Sequence, residues 1–365
     1  MTKYTLPPER PGLVARERLL NRLLAGLNGR LTLIAAPPGF GKSTLAAEFA
    51  RRAGRPAAWL GLEASDNEPS RFGAYLAAAV AKAGVSLQSE LPLEELMGLL
   101  VNAAVETPLV LVLDDYQVIE TPEIHAAVGL FLERMPSNLH LVIATRSRPP
   151  LPLARLKARG DMTELNASDL RFTADEAARL LGRAPLADLI YQRTEGWVTG
   201  MQLALLSSDP AAALSGYNPD LLEYLVDEVI RRQPPAVQTF LLRTAVLGRL
   251  TGPLCDALTG QTEGARTLQA LERANLFLFP LDPERRWFRY HQLFREFLLA
   301  RLREETGEAG VAGQHRRAAE WHRAEGQFTE AVDHLLDAGD FDRAADWMEE
   351  AAPERRWLDR LPPEV

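Results

Sequence analysis

The segment from Ala36 to Ser43 reads APPGFGKS, which has the residue types and the spacing of a phosphate-binding loop. It follows an apolar run, LTLIA, and precedes a helical pattern, STLAAEFARRAG. Gly39 and Gly41 allow the backbone to bend so that successive N–H groups point at one phosphate. The start of the following helix adds further N–H donors and the positive end of a dipole. The segment predicts a nucleotide-binding site, the alternative being a chance match in a glycine-rich turn.

Two side chains of this loop have roles that follow from their chemistry. We expect Lys42 to reach the terminal phosphates and to act in catalysis, and the hydroxyl of Ser43 to ligate Mg²⁺. Ala36 stands where such loops usually have their first glycine. The residues expected to contact the nucleotide are Pro38, Gly39, Phe40, Gly41, Lys42, Ser43 and Thr44.

A pair of carboxylates, Asp114 and Asp115, directly follows the apolar run LVLVL. Ligands of open α/β sheets bind at the carboxyl ends of the strands, which places both residues beside the phosphate loop. Asp114 is the expected Mg²⁺ partner, directly or through water. Asp115 is expected to orient or deprotonate an attacking water. The alternative is that the pair only caps a helix.

An arginine, Arg146, follows the next apolar run, LHLVIAT. A planar guanidinium suits phosphate oxygens, so this residue can contact a γ-phosphate and distinguish ATP from ADP. We therefore count it among the catalytic candidates. The alternative is a surface arginine that happens to follow a strand.

The first 165 or so residues alternate apolar runs with helical patterns, and these elements must position the candidate residues. Three of the four runs are nearly continuous, as in strands buried on both faces of a parallel sheet. Helical patterns such as RFGAYLAAAVAKAG and HAAVGLFLERM lie between them. The alternation predicts a doubly wound α/β domain. The runs are residues 31–36, 57–62, 109–113 and 139–145.

Residues beyond about 165 carry almost no strand signal and predict helices. Thr173 and Glu176 form a capping box for the helix TADEAARLLG, which Gly182 ends. Later helical patterns are LLEYLVDEVIRR, VQTFLLRTAVLG, LCDALTG and RTLQALERANLF, with Pro234-Pro235 interrupting them. The stretch LFLFPLDPERRWFRYH predicts a small hairpin before the helix HQLFREFLLARLREE. Helices closed by one hairpin are typical of a winged-helix domain.

The tail contains a weak repeat. The pattern Gly-x-Phe-x-x-Ala at 326–331 recurs at 339–344. Small residues at fixed offsets between amphipathic helices predict stacked helical hairpins, the start of a solenoid. The sequence ends at RLPPEV without a capping helix, so we expect a fragment of a longer protein.

Composition and charge narrow the class of protein. The net charge of -8 and the pI of 5.5 argue against the chain as a whole wrapping nucleic acid, although a local basic patch is compatible with them. The N-terminus has no apolar signal region, and no stretch approaches the ~20 apolar residues that span a bilayer. The single cysteine, Cys255, is expected to be a buried thiol. We expect a cytoplasmic protein without a membrane partner.

The histidines predict no metal site. His315 and His322 lie seven residues apart and His334 follows, without acidic or cysteine partners at a matching spacing. We expect them on solvated helix faces. A set of aromatic residues is expected to pack in the core instead: Trp197, Trp287, Phe288, Tyr290, Phe294 and Phe297.

Eight segments, taken in order, resemble one known family. They are PPERPGLVARERLLNRL, APPGFGKSTL, WLGLEASDNEPSRFGAYL, LVLVLDDYQVI, LVIATRSRPPLPLARLKARGDMTEL, LRFTADEAARLL, TEGWVTGMQLALL and FRYHQLFREFL. The chain resembles the N-terminal nucleotide-binding half of the MalT-type regulators. These are the large ATP-binding members of the LuxR family, within the signal-transduction ATPases with numerous domains (STAND). The resemblance implies a P-loop NTPase domain, a helical domain, a winged-helix domain and the start of a TPR-like helical-repeat arm, at residues 1–165, 166–235, 236–305 and 306–365.

The resemblance also implies roles for single residues. In related proteins the segment before the first strand holds the adenine, which corresponds here to Val14 and Arg16. Arg146 corresponds to a γ-phosphate sensor. His291 corresponds to a winged-helix histidine that contacts the β-phosphate of bound ADP, a core-packing histidine being the alternative. The GLPL helix motif of the relatives appears only as the divergent segment 196–200, GWVTG.

The resemblance implies an ATP/ADP-dependent switch module of a transcriptional regulator. ADP would hold a closed state, ATP an open state that self-assembles, and slow Mg²⁺-dependent hydrolysis would reset it. Further partners would be an inducer or regulatory protein on the repeat arm. DNA contact is expected only through a C-terminal helix-turn-helix of a longer parent. The alternatives are an AAA-like oligomeric motor ATPase and a small-molecule phosphotransferase, although residues 147–235 show no arginine-rich lid.

Overall fold

The computed structural model describes residues 3–9, 12–88, 90–182, 186–207 and 219–351. The chain divides into two compact units. The first unit runs to Leu205 and also includes Arg273–Asn275, and the second comprises Leu206–Glu272 and the chain from Leu276 onward.

The first unit is built on a five-stranded parallel sheet in the order β2-β3-β4-β1-β5. The four strands predicted from apolar runs are confirmed. The fifth strand was not predicted, because it lies at an edge of the sheet and only Leu165 of its four residues is buried, so it has no continuous apolar run. The strands are β1 Leu31–Ala35, β2 Ala57–Gly61, β3 Leu109–Asp114, β4 Leu139–Thr145 and β5 Met162–Leu165.

Helices connect these strands in the doubly wound manner predicted. From β1 the chain crosses to β2 at one edge of the sheet, and from β4 it crosses to β5 at the other edge. Because parallel crossovers are right-handed, opposite directions of crossing place helices on opposite faces. The connecting helices are α2 Lys42–Arg52, α3 Pro69–Lys82, α4 Leu93–Glu106, α5 Pro122–Arg134 and α6 Leu153–Ala158, and α1 Glu17–Ala25 precedes the first strand.

Helix α2, which follows the phosphate loop, is held on the sheet by its apolar face. Leu45 and Phe49 are buried, one helical turn apart. The ring of Phe49 lies 5.8 Å from that of His140 on β4, edge to face. This packing fixes the start of α2 at the carboxyl end of the central strands.

Four short helices follow the sheet in the described part of the chain. They are α7 Ala167–Leu170, α8 Ala174–Leu181, α9 Ala187–Thr194 and α10 Val198–Leu206. The predicted capping box of α8 is confirmed, with the Glu176 amide donating to Thr173 Oγ1 and the Thr173 amide donating to Glu176 Oε2. Gly182 ends this helix with a positive φ, as expected.

In its described residues the second unit is mainly helical and contains one antiparallel hairpin, which confirms that prediction, with a single bridge from Leu250 to Phe288 beside it. Its helices are α11 Pro219–Leu225, α12 Pro235–Arg243, α13 Gly252–Thr259, α14 Gly264–Arg273, α15 Gln292–Ala324, α16 Phe328–Asp337 and α17 Phe341–Ala351, with a π-helical turn at Val226–Ile230. The hairpin strands are β6 Leu278–Pro280 and β7 Phe288–Tyr290.

The core of the second unit contains most of the aromatic residues expected there. Phe288, Tyr290, Phe294 and Phe297 are buried. Cys255 is a fully buried thiol, as predicted, and burial raises its pKa.

The predicted tail repeat corresponds to helices α16 and α17. Gly326 and Gly339 have positive φ and precede these helices, while Ala331 and Ala344 are buried at the helix contacts. The repeat therefore records a helical hairpin with a small residue at each close contact. The terminal RLPPEV lies outside the described residues. Among the residues that are described, no helix is both long and apolar enough to cross a bilayer.

Candidate nucleotide site

The phosphate loop needs glycine at position 39 for two reasons. Gly39 and Gly41 have φ values of 76° and 77°, a region that side-chain-bearing residues rarely adopt. A Cβ at Gly39 would also lie 2.6 Å from Thr199 Oγ1 and 2.7 Å from Trp197 Nε1. The loop can pass this close to α10 only because position 39 has no side chain.

The hydroxyl of Ser43 donates a 2.9 Å hydrogen bond to Oδ1 of Asp114. This contact joins the first turn of α2 to the carboxyl end of β3, as the sequence predicted. Burial, followed by the charge of the neighbouring Asp115, raises the pKa of Asp114 to about 6, and Ser43 and Lys42 limit the rise. A hydroxyl and a carboxylate side by side are oxygen donors of the kind that Mg²⁺ prefers, so the pair fits the predicted ion.

The remaining loop residues make contacts within the loop or are wholly or partly buried. Lys42 Nζ donates to the carbonyl oxygen of Pro37 at 2.9 Å, which places the ammonium group inside the loop. Pro38 and Phe40 are buried, and Thr44 is half-buried on the first turn of α2. Their contacts with a nucleotide stay predictions.

Gln117, which was not predicted as a site residue, links Asp115 to the backbone of Arg146. Gln117 donates from Nε2 to Asp115 Oδ1 and accepts at Oε1 from the Arg146 amide, both at 2.8 Å. Asn275 donates to the carbonyl oxygen of Arg146, also at 2.8 Å. Asp115 itself has a positive φ of 56°. The only sequence signal for Gln117 was its position two residues after Asp115.

The divergent segment 196–200 contacts the phosphate loop directly. Trp197 Nε1 donates to the carbonyl oxygen of Pro38 at 3.2 Å, and Thr199 Oγ1 donates to that of Gly39 at 3.0 Å. Trp197 was predicted to be a core residue, and it is buried, but it also holds the loop. Thr199 was not predicted as a site residue. The available signal was the alignment of this segment with the GLPL motif.

The lead-in residues Val14 and Arg16 lie apart from these contacts. The guanidinium of Arg16 donates to the carbonyl oxygens of Leu170 and Arg171 and pairs with Glu176 at 3.0 Å. Burial lowers the pKa of Arg16, and Glu176 partly restores it. Arg16 thus ties the lead-in segment to α7 and α8, and Val14 is half-buried. Their adenine-binding role stays a prediction.

His291 belongs to the second unit and occupies the position just before α15, without a capping bond from its side chain. It is fully buried, its amide donates to the carbonyl oxygen of Phe277 at 2.8 Å, and its ring packs edge-on against Phe277. These contacts correspond to the core-packing alternative. The phosphate contact implied for His291 stays a prediction.

The expectation of solvated histidines in the tail was wrong. His315 and His322 are buried, and His315 lies against His334 and Asp337. The reason is that α16 folds back on α15, which brings an acidic partner from a different helix. Spacing along one helix could not reveal that partner.

Comparison with known proteins adds a family context. A family model described as the MalT winged helix domain matches residues 226–310. The HTH-type transcriptional regulator MalT of Serratia proteamaculans is 37% identical over 368 residues, covering 93% of this chain and 40% of its own length. The serine/threonine-protein kinase PknK of Mycobacterium tuberculosis is 36% identical over 378 residues, covering 96% of this chain and 34% of its own length.

The chain therefore spans less than half the length of the curated relatives it matches. Among solved structures, a signal transduction ATPase with numerous domains and a tetratricopeptide repeat sensor, from Pyrococcus horikoshii, covers 94% of this chain and 51% of its own. The two share 16% sequence identity with a TM-score of 0.39.

Proposed function

This chain is a homologue of the MalT-type regulators over the stretch that it spans, and from this premise we propose that it is a nucleotide-dependent switch module of a transcriptional regulator. The observation that carries the proposal is a pair of hydrogen bonds, which the side chains of Trp197 and Thr199 donate to backbone carbonyl oxygens of the phosphate loop. A loop held from α10 cannot change its shape without moving that helical segment. A change in the bound nucleotide can therefore change the position of the helices that follow the sheet.

Different residues of the site bind the phosphates, hold Mg²⁺ and promote hydrolysis. The loop N–H groups and Lys42 bind the phosphates, and Ser43 with Asp114 holds Mg²⁺. The ion, when bound, neutralises charge that develops on the phosphates. Asp115 orients the attacking water, and Gln117 fixes its carboxylate relative to Arg146, which senses the γ-phosphate.

The finer proposal assigns states to nucleotides. ADP stabilises a closed state with His291 against its β-phosphate, ATP favours an open state that self-assembles, and slow hydrolysis resets the module. Moving such an equilibrium from 1:99 to 99:1 takes roughly 5.5 kcal/mol of differential binding. The boundaries stay as proposed, with the nucleotide-binding domain, helical domain, winged helix and arm at 1–165, 166–235, 236–305 and 306–365.

The proposed partners follow from the same assignment. An inducer or regulatory protein binds the repeat arm, and copies of the chain bind one another in the ATP state. DNA is bound by a C-terminal helix-turn-helix of a longer parent. The site of action is the cytoplasm.

Mass spectrometry of nucleotide released from denatured protein tests the proposal. We expect near one equivalent of ADP in the wild type and none in Lys42→Ala. Light scattering with ADP and with a non-hydrolysable ATP analogue should then show larger assemblies only with the analogue. An empty site that also fails to bind added nucleotide contradicts the switch. Steady turnover of about 1 s⁻¹ or faster would favour a motor or a phosphotransferase instead.

A further inference from the structure

Three histidines and an aspartate meet where α15, beyond a kink at Gly307, packs against α16. His315 and His322 lie two turns apart on α15, and His334 and Asp337 lie one turn apart on α16. The Nδ1 atoms of His315 and His334 are 2.9 Å apart, and His315 Nδ1 is 3.7 Å from Asp337 Oδ2. One ligand atom from each of His315, His334 and Asp337 lies within 4.8 Å of the other two.

The cluster is buried on the side of His315 and exposed to solvent on the side of Asp337. His315 is 6% exposed, whereas the side chain of Asp337 is 64% exposed, so one side of the cluster opens to water. Burial lowers the pKa of both imidazoles, that of His334 to about 3. Burial thus favours the neutral imidazole, which is the form that binds a metal ion.

The third histidine holds one of the other two in place. The ring of His322 stacks on that of His334 at 5.4 Å, and His322 Nδ1 pairs with Gln327 Oε1 at 2.6 Å. An outer contact of this kind orients a ligand ring without binding the ion itself. His322 is thus a positioning residue for His334.

We propose that His315, His334 and Asp337 form a binding site for a divalent transition metal of the Zn²⁺ class. Two imidazoles and one carboxylate are ligands that Zn²⁺ takes at about 2.0–2.2 Å, with water at the fourth position on the exposed side. Tetrahedral ligation at such distances separates two nitrogens by about 3.3 Å. The present 2.9 Å separation therefore needs to open by only a few tenths of an ångström.

The ring tautomers follow from this ligation. Two neutral rings facing through Nδ1 share one proton between those atoms, one ring donating and the other accepting. A metal held by both Nδ1 atoms takes the place of that proton, and each ring then carries its proton on Nε2. No proton has to leave the protein for the exchange.

The positive charge of a nearby arginine, Arg295, disfavours the binding of a metal ion. Arg295 lowers the pKa of both His315 and His334 by its charge. Its guanidinium is directed to the carbonyl oxygens of Ala245 and Val246, at 3.2 and 3.3 Å. Asp337 supplies the compensating negative charge, so its carboxylate is essential to the site.

The site would join the two helices that begin the repeat arm. α15 is kinked at Gly307, close to residue 310 where the match to the winged-helix family model ends, and the cluster begins five residues after that end. A metal bound there cross-links α15 to α16. Occupancy would stiffen the base of the arm and raise the temperature at which it unfolds.

Metal titration of chelator-treated protein tests the site. The Asp114→Asn variant serves as the background, because it removes the other candidate cation site. We expect one equivalent of Zn²⁺ to bind in competition with a chromophoric chelator, and Co²⁺ to give visible bands of a nitrogen-ligated ion. His334→Asn and Asp337→Asn should each weaken binding by more than about 10-fold. His125→Asn, on α5 of the first unit, is the matched control and should bind as the background does.

Each result of the metal titration either supports or overturns the proposed site. Because the side chain of Asp337 is exposed, we expect Asp337→Asn to keep the fold, which circular dichroism checks. If His334→Asn unfolds, the Zn²⁺ affinity of Asp337→Asn decides the case. Failure of the background protein to bind Zn²⁺ at micromolar concentration overturns the proposal. Unchanged affinity in Asp337→Asn also overturns it, as does equal weakening by His125→Asn. The switch function can hold or fail independently, because its nucleotide readout does not involve these residues.

Discussion

Trp197 and Pro38, 159 residues apart in the chain, are joined by a hydrogen bond from the indole Nε1 to the backbone carbonyl oxygen. The donor precedes α10, and the acceptor lies in the phosphate loop. Thr199 makes the same kind of contact with Gly39 one residue further along the loop. The shape of the phosphate loop therefore depends on a segment outside the sheet.

The hydroxyl of Thr199 should contribute to nucleotide affinity. Thr199→Val keeps the shape of the side chain but leaves the Gly39 carbonyl without this donor, which costs about 1 kcal/mol. We expect ADP affinity, measured by calorimetry, to fall about 5-fold. Thr199→Ser retains the hydroxyl and is the matched control. Equal affinities in the valine and serine variants would show that the contact does not shape the loop.

Gly39→Ala should abolish tight nucleotide binding. The substitution forces a side chain into a left-handed backbone, at about 1–2 kcal/mol, and into contact with Thr199 and Trp197. We expect ADP affinity to fall by more than about 10-fold. Gly54→Ala is the control, because Gly54 also has a positive φ but its added Cβ would meet nothing within 4 Å. If both variants bind ADP like the wild type, crowding at α10 is unimportant.

Asp114 and Asp115 should separate metal binding from hydrolysis. Asp114→Asn removes the carboxylate next to Ser43, so ATP affinity should lose its dependence on Mg²⁺. Asp115→Asn should keep that dependence while slowing hydrolysis by about 100-fold or more. Binding is measured with and without Mg²⁺, and hydrolysis by phosphate release. A Mg²⁺ effect that persists in Asp114→Asn would place the ion elsewhere.

His140 should make the first unit less stable in acid. Its Nδ1 donates to the carbonyl oxygen of Gly29 and its Nε2 accepts from the Thr32 hydroxyl, so the buried ring is neutral. Burial lowers its pKa from 6.5 to about 4. Protons therefore bind the unfolded chain first, and the stability present above pH 6.5 is lost as the pH falls towards 4.

The size of this effect follows from the same shift. Between pH 7 and pH 5 the free energy of unfolding should drop by about 2 kcal/mol through His140 alone. Urea unfolding of the wild type and of His140→Asn measures it, because the difference between the two proteins removes the contribution of the histidines in the second unit. A variant that loses as much stability as the wild type over this range would refute the assignment.

The phosphate loop and the central strands could be predicted from the sequence because each depends on local chemistry. Gly39, Gly41 and Lys42 carry the loop conformation and its charge within a few residues. The strands β1, β3 and β4 are buried on both faces, so their apolar runs are continuous. The capping box of Thr173 and Glu176 is equally local, and the structure confirms it.

Tertiary structure alone decided the contacts between distant segments. Gln117 connects Asp115 to Arg146 only because β3 and β4 are neighbours in the sheet. The edge strand β5 has no apolar run, because three of its four residues are only partly buried. Asp337 reaches His315 because α16 folds back on α15. Each of these relationships depends on packing between elements, and the periodicity of a single element carries no record of its neighbours.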